Sequence, residues 1–377
     1  MPGKGKSPPR RVVTLETPLL PVQSGLEPSS LAVSAMAKSA RRILVVGSAN
    51  MDLVSRVRRL PRAGETIFST GLETAPGGKG ANQAVAAARL GCRTAMLGST
   101  GDDEFGAQLR ASLRAQGVDV GAMRIVKGKP TGTASIAVDR KGQNTVIVSG
   151  GANLLLRPKH LDKQHELFSA VDVVLIQLEL RLETVEAAMK IAGMMDKPVI
   201  LDAGPAMELP REILQLATIV SPNETEAEAM TGIAPVDDES ACAAAESLRK
   251  QGARRVVIKL GARGCLYLDA SHLTFSPPFP ITAVDATAAG DAFTAGLAAA
   301  WNAEAHEGAL RFANACGAVA ATRKGAQPSL PTLADEQRVL AGRPAEQESF
   351  ISALEGDVED ESGERLNLPE SEDMTMM

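Results

Sequence analysis

Short, β-branched apolar runs alternate with amphipathic stretches through the middle of the chain. Residues 43–47, 171–177, 198–201, 218–220 and 255–260 predict buried strands. Between them lie helical patterns with visible stops. Phe105, Leu109 and Leu113 line one face before Gly117, and 81–90 ends at Gly91. The alternation predicts an α/β fold of three layers, a mainly parallel sheet covered by helices on both faces. Two regions break the rhythm. Residues 52–76, and the pair 133–138 and 144–148 around Arg140-Lys141-Gly142-Gln143, predict strands joined by hairpins. They would form a small antiparallel β lid, from about 52–76 and 131–149, over the active face.

The two ends differ from this middle. Residues 1–42 carry seven basic residues against two acidic ones and lack an apolar period. Residues 1–41 therefore read as a basic disordered arm or an organelle targeting segment, with initiation at Met36 a third reading. Residues 341–377 hold eleven acidic residues against two arginines and read as an acidic disordered tail. The folded domain is expected over 42–340.

Composition narrows the function classes. A hydrophobic fraction of 44% supports a large core. A net charge of −5 and only 3% aromatic residues argue against nucleic acid held by a basic surface or by stacking. Cys92, Cys242, Cys265 and Cys316 form no CxxC pair, which argues against zinc or a disulfide framework and for a reducing compartment. No uncharged apolar run reaches the length of a membrane span. The expectation is a cytoplasmic protein, with targeting by the arm as the alternative.

Four segments carry chemistry. In Val284-Asp285-Ala286-Thr287-Ala288-Ala289-Gly290-Asp291-Ala292-Phe293, small residues at 288–290 open a helix. Their free N–H groups would form an anion hole for a phosphoryl group, with Asp291 beside it. The same residues also suit a plain Gly-Asp turn in which Asp291 stabilises the helix dipole. Pro76-Gly77-Gly78-Lys79-Gly80-Ala81-Asn82-Gln83 permits close backbone approach and offers Lys79 and Asn82 as donors to hydroxyls; its spacing is not that of a Walker A loop. Gly47-Ser48-Ala49-Asn50-Met51-Asp52 puts Asn50 and Asp52 where open α/β sheets bind ligands, or simply ends a strand. It lacks the G-x-G-x-x-G of a dinucleotide-binding loop, which argues against a dehydrogenase. In Ser221-Pro222-Asn223-Glu224-Thr225-Glu226, Asn223 and Glu226 would share a face and organise hydrated magnesium, or cap a helix. Lys259-Leu260-Gly261-Ala262-Arg263-Gly264 is a weaker nucleotide-site signal.

Taken in this order, the segments resemble the ribokinase-type carbohydrate kinases, a family that includes fructokinase and adenosine kinase. The resemblance covers 42–332. It is carried by Gly77-Gly78-Lys79-Gly80-Ala81-Asn82-Gln83-Ala84, by Asn223-Glu224-Thr225-Glu226-Ala227-Glu228, by 285–291, and by Thr322-Arg323-Lys324-Gly325-Ala326-Gln327-Pro328-Ser329. It implies a kinase using ATP, Mg2+ and K+, with D-ribose phosphorylated at O5. A related sugar or nucleoside kinase, or a silent sugar-binding regulator on the same fold, would carry similar segments.

The resemblance also implies site roles. Asp291 would be the base, with Ala288, Ala289 and Gly290 as the anion hole. Asn50, Asp52, Gly78, Lys79, Gly80, Ala81, Asn82 and Glu179 would surround the sugar. Asn223, Lys259, Gly261, Ala262, Arg263, Gly264, Gly290 and Asn314 would lie on the nucleotide side, and Glu226 would organise magnesium. Asp285, Thr287, Ala320, Arg323, Gly325 and Ser329 would form the potassium site, and the lid would form a homodimer contact. Two departures stand out: Leu201-Asp202-Ala203-Gly204-Pro205 replaces an Asn-Pro-Ala-Pro-like run, and Lys259 replaces a small hydroxyl residue.

Overall fold

The computed structural model describes residues 40–343. The basic arm before residue 40 and the acidic tail after residue 343 lie outside the described residues. The strands, in chain order, begin with β1 (Arg42–Val46), β2 (Asn50–Arg56), β3 (Gly71–Gly77) and β4 (Arg93–Leu97). Next come β5 (Ser99–Gly101), β6 (Arg124–Val126), β7 (Gly132–Val138), β8 (Asn144–Ser149) and β9 (Val173–Gln177). The last five are β10 (Val199–Asp202), β11 (Ile219–Ser221), β12 (Val256–Lys259), β13 (Cys265–Leu268) and β14 (Leu273–Ser276).

Eight of these form one sheet in the order β14-β13-β12-β11-β10-β9-β1-β4. It is parallel from β4 to β12, and β13 and β14 add an antiparallel edge. The period-2 geometry of a strand explains how each apolar run serves two cores. Ile43, Val45, Val173, Leu175, Ile200 and Val257 face one layer, packed by helices Lys79–Arg89, Glu104–Ala115, Ala289–Ala300 and His306–Ala321. Leu44, Val46, Val174, Ile176, Leu201 and Ile258 face the other, packed by Leu182–Met194, Arg211–Leu216, Glu224–Thr231 and Asp238–Gln251. The expected three layers are therefore present. Among the described residues, no helix is long and apolar enough to cross a membrane.

The lid is a separate sheet in the order β3-β2-β7-β8. Each hairpin is antiparallel as expected, but the two hairpins are joined by a parallel pairing of β2 with β7. The lid is thus mixed rather than wholly antiparallel, because β2 leaves the main sheet and β7 enters the lid in the same direction. β5 and β6 form a small parallel pair of their own.

Small residues set the spacing of the helices under the site. A Cβ added to Gly296 in helix Ala289–Ala300 would lie 2.7 Å from Cys316 Sγ in helix His306–Ala321. Gly296→Val should therefore lower the melting temperature by the equivalent of about 1–3 kcal/mol, the usual cost of overpacking. Adding Cys316→Ala should recover part of that loss. Calorimetric melts of the two variants check both the direction and the partner.

Candidate active site

Going along the chain, the sheet grows on one side of β1 to β4 and then crosses to β9 on the other side. Open α/β sheets bind ligands at the carboxyl ends of strands beside such a switch. Here β1, β9, β10, β11 and β12 all end at the same edge. The segment 47–50 leaves β1 and starts β2, while β3 ends at Gly77 and feeds helix Lys79–Arg89. The two segments lie backbone to backbone. Gly78 has φ 90°, and a Cβ there would fall 2.7 Å from Asn50 N. A Cβ on Gly80 would fall 2.6 Å from Ser48 N, and Ala81 N donates to Ser48 O at 2.9 Å.

Polar groups fill the cleft this creates. Glu179, just beyond β9, accepts from the Ser48 hydroxyl, from Asn50 Nδ2 at 3.3 Å and from Lys79 N at 3.2 Å. Asn50 Oδ1 accepts from Asn153 Nδ2 at 2.7 Å, and Asn153 Oδ1 accepts from Ala49 N at 3.0 Å. Asp52 follows on β2. Burial, with Glu179 and Asp291 nearby, pushes its carboxyl up to about 7.

Asp291 sits in the first turn of helix Ala289–Ala300 and is 5% exposed. Asn82 Nδ2 donates to its Oδ2 and Gln83 Nε2 to its Oδ1, both at 3.0 Å. Burial raises this carboxyl to about 6; Lys79 pulls it down and Asp202 pushes it up. Asn82 thus spends its nitrogen on Asp291, and its buried Oδ1 is without a hydrogen-bond partner. A buried amide oxygen in that condition calls for a donor from ordered water or a ligand. Ala288, at φ 60° and ψ 5°, turns the chain into the helix from the left-handed region. Ala289 N reaches Ala286 O at 3.2 Å, so its N–H is already partly engaged. The other first-turn N–H groups have no carbonyl within the helix to bond.

Lys79 ties the two halves together. Its Nζ lies 3.5 Å from Asp202 Oδ2 and 3.8 Å from Glu226 Oε1. Burial opposes its charge, but Asp202, Asp291, Glu226 and Glu179 outweigh that and hold the ammonium above its ordinary value. Asp202 has no exposed surface. It pairs with Lys259, accepts from Gln83 Nε2 at 2.8 Å, and is held below its ordinary value by these partners despite burial. Asn223 and Glu226 form a reciprocal cap. Asn223 Oδ1 accepts from Glu226 N at 2.8 Å, and Glu226 Oε2 accepts from Asn223 N at 2.7 Å. The capping reading of this pair is therefore realised, with Oε1 of Glu226 left facing Lys79.

The remaining predicted residues fall in two groups. Gly261, Ala262 and Arg263 form a single 3-10 turn after β12, ended by Gly264. Arg263 is bonded to Glu224 at 2.9 Å and to Pro235 O, and Asn314 Nδ2 to Ser276 O at 3.0 Å and Pro277 O at 3.2 Å. Both side chains are engaged within the fold. On the other flank, Asp285 Oδ1 accepts from Thr287 N and Oγ1, and Oδ2 from Gly325 N. Ser329 Oγ lies 3.5 Å from Thr287 O. Arg323 is pinned to Asp335 at 2.7 Å, and Ala320 O accepts from Arg323 N at 3.2 Å. The 285–287 and 320–329 segments are thus brought together.

Several members of the network were not among the expected site residues. Gln83 bridges Asp291 and Asp202 and accepts from Gln177 Nε2 at 2.6 Å. Ser48, Asn153, Gln177 and Asp202 complete it. Gln177 and Asp202 each end an otherwise apolar strand, a signal that a polar group there is used.

A buried carboxylate in the first turn of a helix, beside an amide oxygen without a partner, suits chemistry on an alcohol, and the fold around it is that of a carbohydrate kinase. The chain belongs to the pfkB family of carbohydrate kinases, whose sequence model matches residues 40–333. It is similar to ribokinase from Haemophilus influenzae, 37% identical over 293 residues covering 78% of this chain and 96% of that protein. It is 38% identical to the Bacillus subtilis ribokinase over 302 residues, 80% of this chain and 100% of that one. Arabidopsis thaliana ribokinase complexed with ribose and ATP has the same fold, with a TM-score of 0.75 at 35% identity over 80% of this chain and 99% of that one.

The raised Asp52 value has a consequence for stability. Its folded-state pKa, about 7, lies above the ordinary 3.8, so folding favours the protonated form. The associated stability is present below about pH 4 and is lost as pH rises through about 7. Asp52→Asn removes that dependence. Its melting temperature should gain on the wild type progressively between pH 4 and pH 8; parallel melts across that range test the sign.

Proposed function

We propose that this kinase transfers the γ-phosphoryl group of ATP to O5 of D-ribose, giving ribose 5-phosphate and ADP. The observation that carries this reading is Asp291: a buried carboxylate in the first turn of a helix, held on both oxygens by amides of the glycine-rich helix. The ribokinases to which the chain is similar support ribose as the acceptor.

In this mechanism Asp291 takes the O5 proton as the oxygen bonds to phosphorus. The backbone N–H groups of 288–290, at the entry to the helix, stabilise the charge on the transferring group. Asn50, Asp52, Lys79, Asn82 and Glu179 orient the sugar hydroxyls. Closure of the lid excludes water, the competing acceptor. Gly261, Gly264 and the turn between them border the nucleotide, with Asn223 and Asn314 supporting it.

The oxygen donors fit the two cations the family uses. Glu226 keeps Oε1 outside its cap, which suits hydrated magnesium. Bound magnesium would neutralise phosphate charge. Asp285 with the Thr287 and Ser329 oxygens suits potassium, and a cation held there would steady the 285–290 backbone. The exposed faces of the lid support pairing of two copies: β8 is exposed at every position, with Val146, Ile147 and Val148 bare on it and Leu72 bare on β3 at the opposite edge of the sheet.

ADP release coupled to added D-ribose tests the activity, and 2-deoxyribose, fructose and adenosine in the same assay test the acceptor. Asp291→Asn should lower kcat by about 10²–10⁴ while calorimetric affinities for ribose and ATP stay close to wild type. Because Asp291 must be unprotonated and titrates at about 6, kcat/KM should fall as pH drops below about 6. Near-normal turnover in this variant would remove Asp291 as the base. Asn82→Ala should raise KM for ribose by about 1–3 kcal/mol in free-energy terms and leave KM for ATP little changed. Replacing potassium with tetramethylammonium should slow turnover; equal rates in both would count against the cation site.

A further inference from the structure

Two glutamines behind the base are fully buried, yet the mechanism above gives them no part. Gln83 lies one turn into helix Lys79–Arg89 and Gln177 ends β9; neither has exposed surface. Burying an amide costs free energy unless its hydrogen bonds are made. Gln177 does not recover that cost in full, because its Oε1 has no hydrogen-bond partner. Gly47, just after β1, leaves room for it: a Cβ there would fall on Gln177 Oε1. Apolar side chains would fill both positions at lower cost. Stability is therefore a weak reason for these amides, and their bonding supplies a better one.

Gln83 Nε2 donates to Asp291 Oδ1 at 3.0 Å and to Asp202 Oδ2 at 2.8 Å. Carboxylates only accept, so the amide nitrogen must face them and its oxygen must face a donor. Gln177 Nε2, at 2.6 Å, is that donor. One orientation of the Gln83 amide thus satisfies all three neighbours. With Asn82 on the other oxygen at 3.0 Å, the Asp291 carboxylate is held at both ends. The same nitrogen ties the base to a second charge. A donor favours ionised Asp291, whereas negative Asp202 favours the protonated form. Lys79 also faces Asp291 from its helix, and Asp52 stands near it on β2. From β12, Lys259 Nζ lies 3.9 Å from the point a Cβ on Gly290 would occupy. Helix His306–Ala321 meets this turn with Gly317, which brings no side chain.

We propose that Gln83 is a positioning residue for the transfer step: oriented by Gln177 and shared with Asp202, its amide aims one oxygen of Asp291 and sets how strongly Asp291 draws the acceptor's proton. The inference rests on the kinase reading of the cleft. In the step itself the sugar oxygen bonds to the γ-phosphorus, the bond from phosphorus to the ADP oxygen breaks, and the hydroxyl proton goes to Asp291. Gln83 keeps both of its own protons. Its bond to Asp291 weakens as that carboxylate is neutralised, so Gln83 restrains the base while Asp202 strengthens it.

The test uses the full chain with Gln83→Met, Gln177→Met or Asp202→Asn. Turnover is read by ribose-dependent ADP release across pH, ribose binding by calorimetry, and stability by melting. Gln83→Met should lower kcat by about 10²-fold, the scale of a misplaced catalytic group, and leave the ribose dissociation constant within about threefold. The acid limb of its kcat/KM profile should move up from about 6, because a donor to the ionised form is gone. Asp202→Asn should move that limb down, since a negative neighbour is lost and Lys79 and Lys259 lose the carboxylate that offsets them. Gln177→Met should act as a weaker Gln83→Met. Carbon-13 NMR of labelled aspartate carboxyls, with Asp291 assigned by Asp291→Asn, should show the Asp291 titration moving in the same senses. An amide that only packs would lower the melting temperature and leave limb and titration in place. That outcome, near-normal kcat in Gln83→Met, or shifts of one sign in Gln83→Met and Asp202→Asn would overturn the proposal. If Gln83→Met does not fold, Gln177→Met decides: an upward titration supports the proposal and an unmoved one overturns it. A wild-type chain without ribose-dependent ADP release would remove the kinase reading and this one with it. An active enzyme whose Asp291 titration stays put in the variants would remove this one alone.

Discussion

The site depends on the Lys79 ammonium, which stands among four acids that would repel one another in so small and dry a space. Lys79 faces Asp202, Glu226, Asp291 and Glu179, and these carboxylates hold its proton more firmly than water would. Without it, the carboxylates would relieve their mutual repulsion by taking up protons. Lys79 can stand there because Gly78 adopts a positive φ and Gly80 brings the helix start onto the Ser48 turn. Backbone shape in one short segment therefore decides the charge state of groups contributed by four other elements.

Within that cluster the acids are separated by environment. Asp202 is held below its ordinary value by two lysines and an amide, whereas Asp291 receives only amide donors directly and is raised by burial to about 6. Gln83 joins them, because its one nitrogen donates a hydrogen bond to each and its oxygen is fixed by Gln177. Rotating that amide is therefore not free for either acid. A fixed bridge of this kind keeps the Asp291 oxygens aimed while leaving lone pairs for a substrate hydroxyl.

The layers were legible in the chain because a parallel strand buried on both faces must be apolar along its middle, and 43–46, 173–176 and 256–258 are. The glycine-rich and 285–291 segments were legible because their chemistry is local. What could not be read are pairings between distant segments. The parallel match of β2 with β7 joins two hairpins that each look complete alone. Asp202 and Lys259 meet only because β10 and β12 flank β11, and 57 positions of sequence separate them. Asn153 was missed for the same reason: it lies in an apolar stretch, and its role appears only when Ala49 and Asn50 are brought against it. The helix expected over 81–90 starts at Lys79, two residues earlier, so that lysine belongs to the helix and not to the loop before it.

The lid has its roots in the polar network of the site. β2 begins at Asn50 and β3 ends at Gly77, so both strands that carry the lid away from the main sheet start or finish beside the groups that Glu179 holds. Asn153 binds Asn50 just where β7 and β2 begin to pair. The lid then has no hinge that is chemically neutral. If the lid closes as proposed, an acceptor that shifts Asn50 would also shift the balance between open and closed forms, and its affinity would include the fraction of molecules already closed. Acceptor choice in such a fold is therefore open to selection through residues far out on the lid. Changes there would alter how long a sugar stays enclosed without touching the sugar at all.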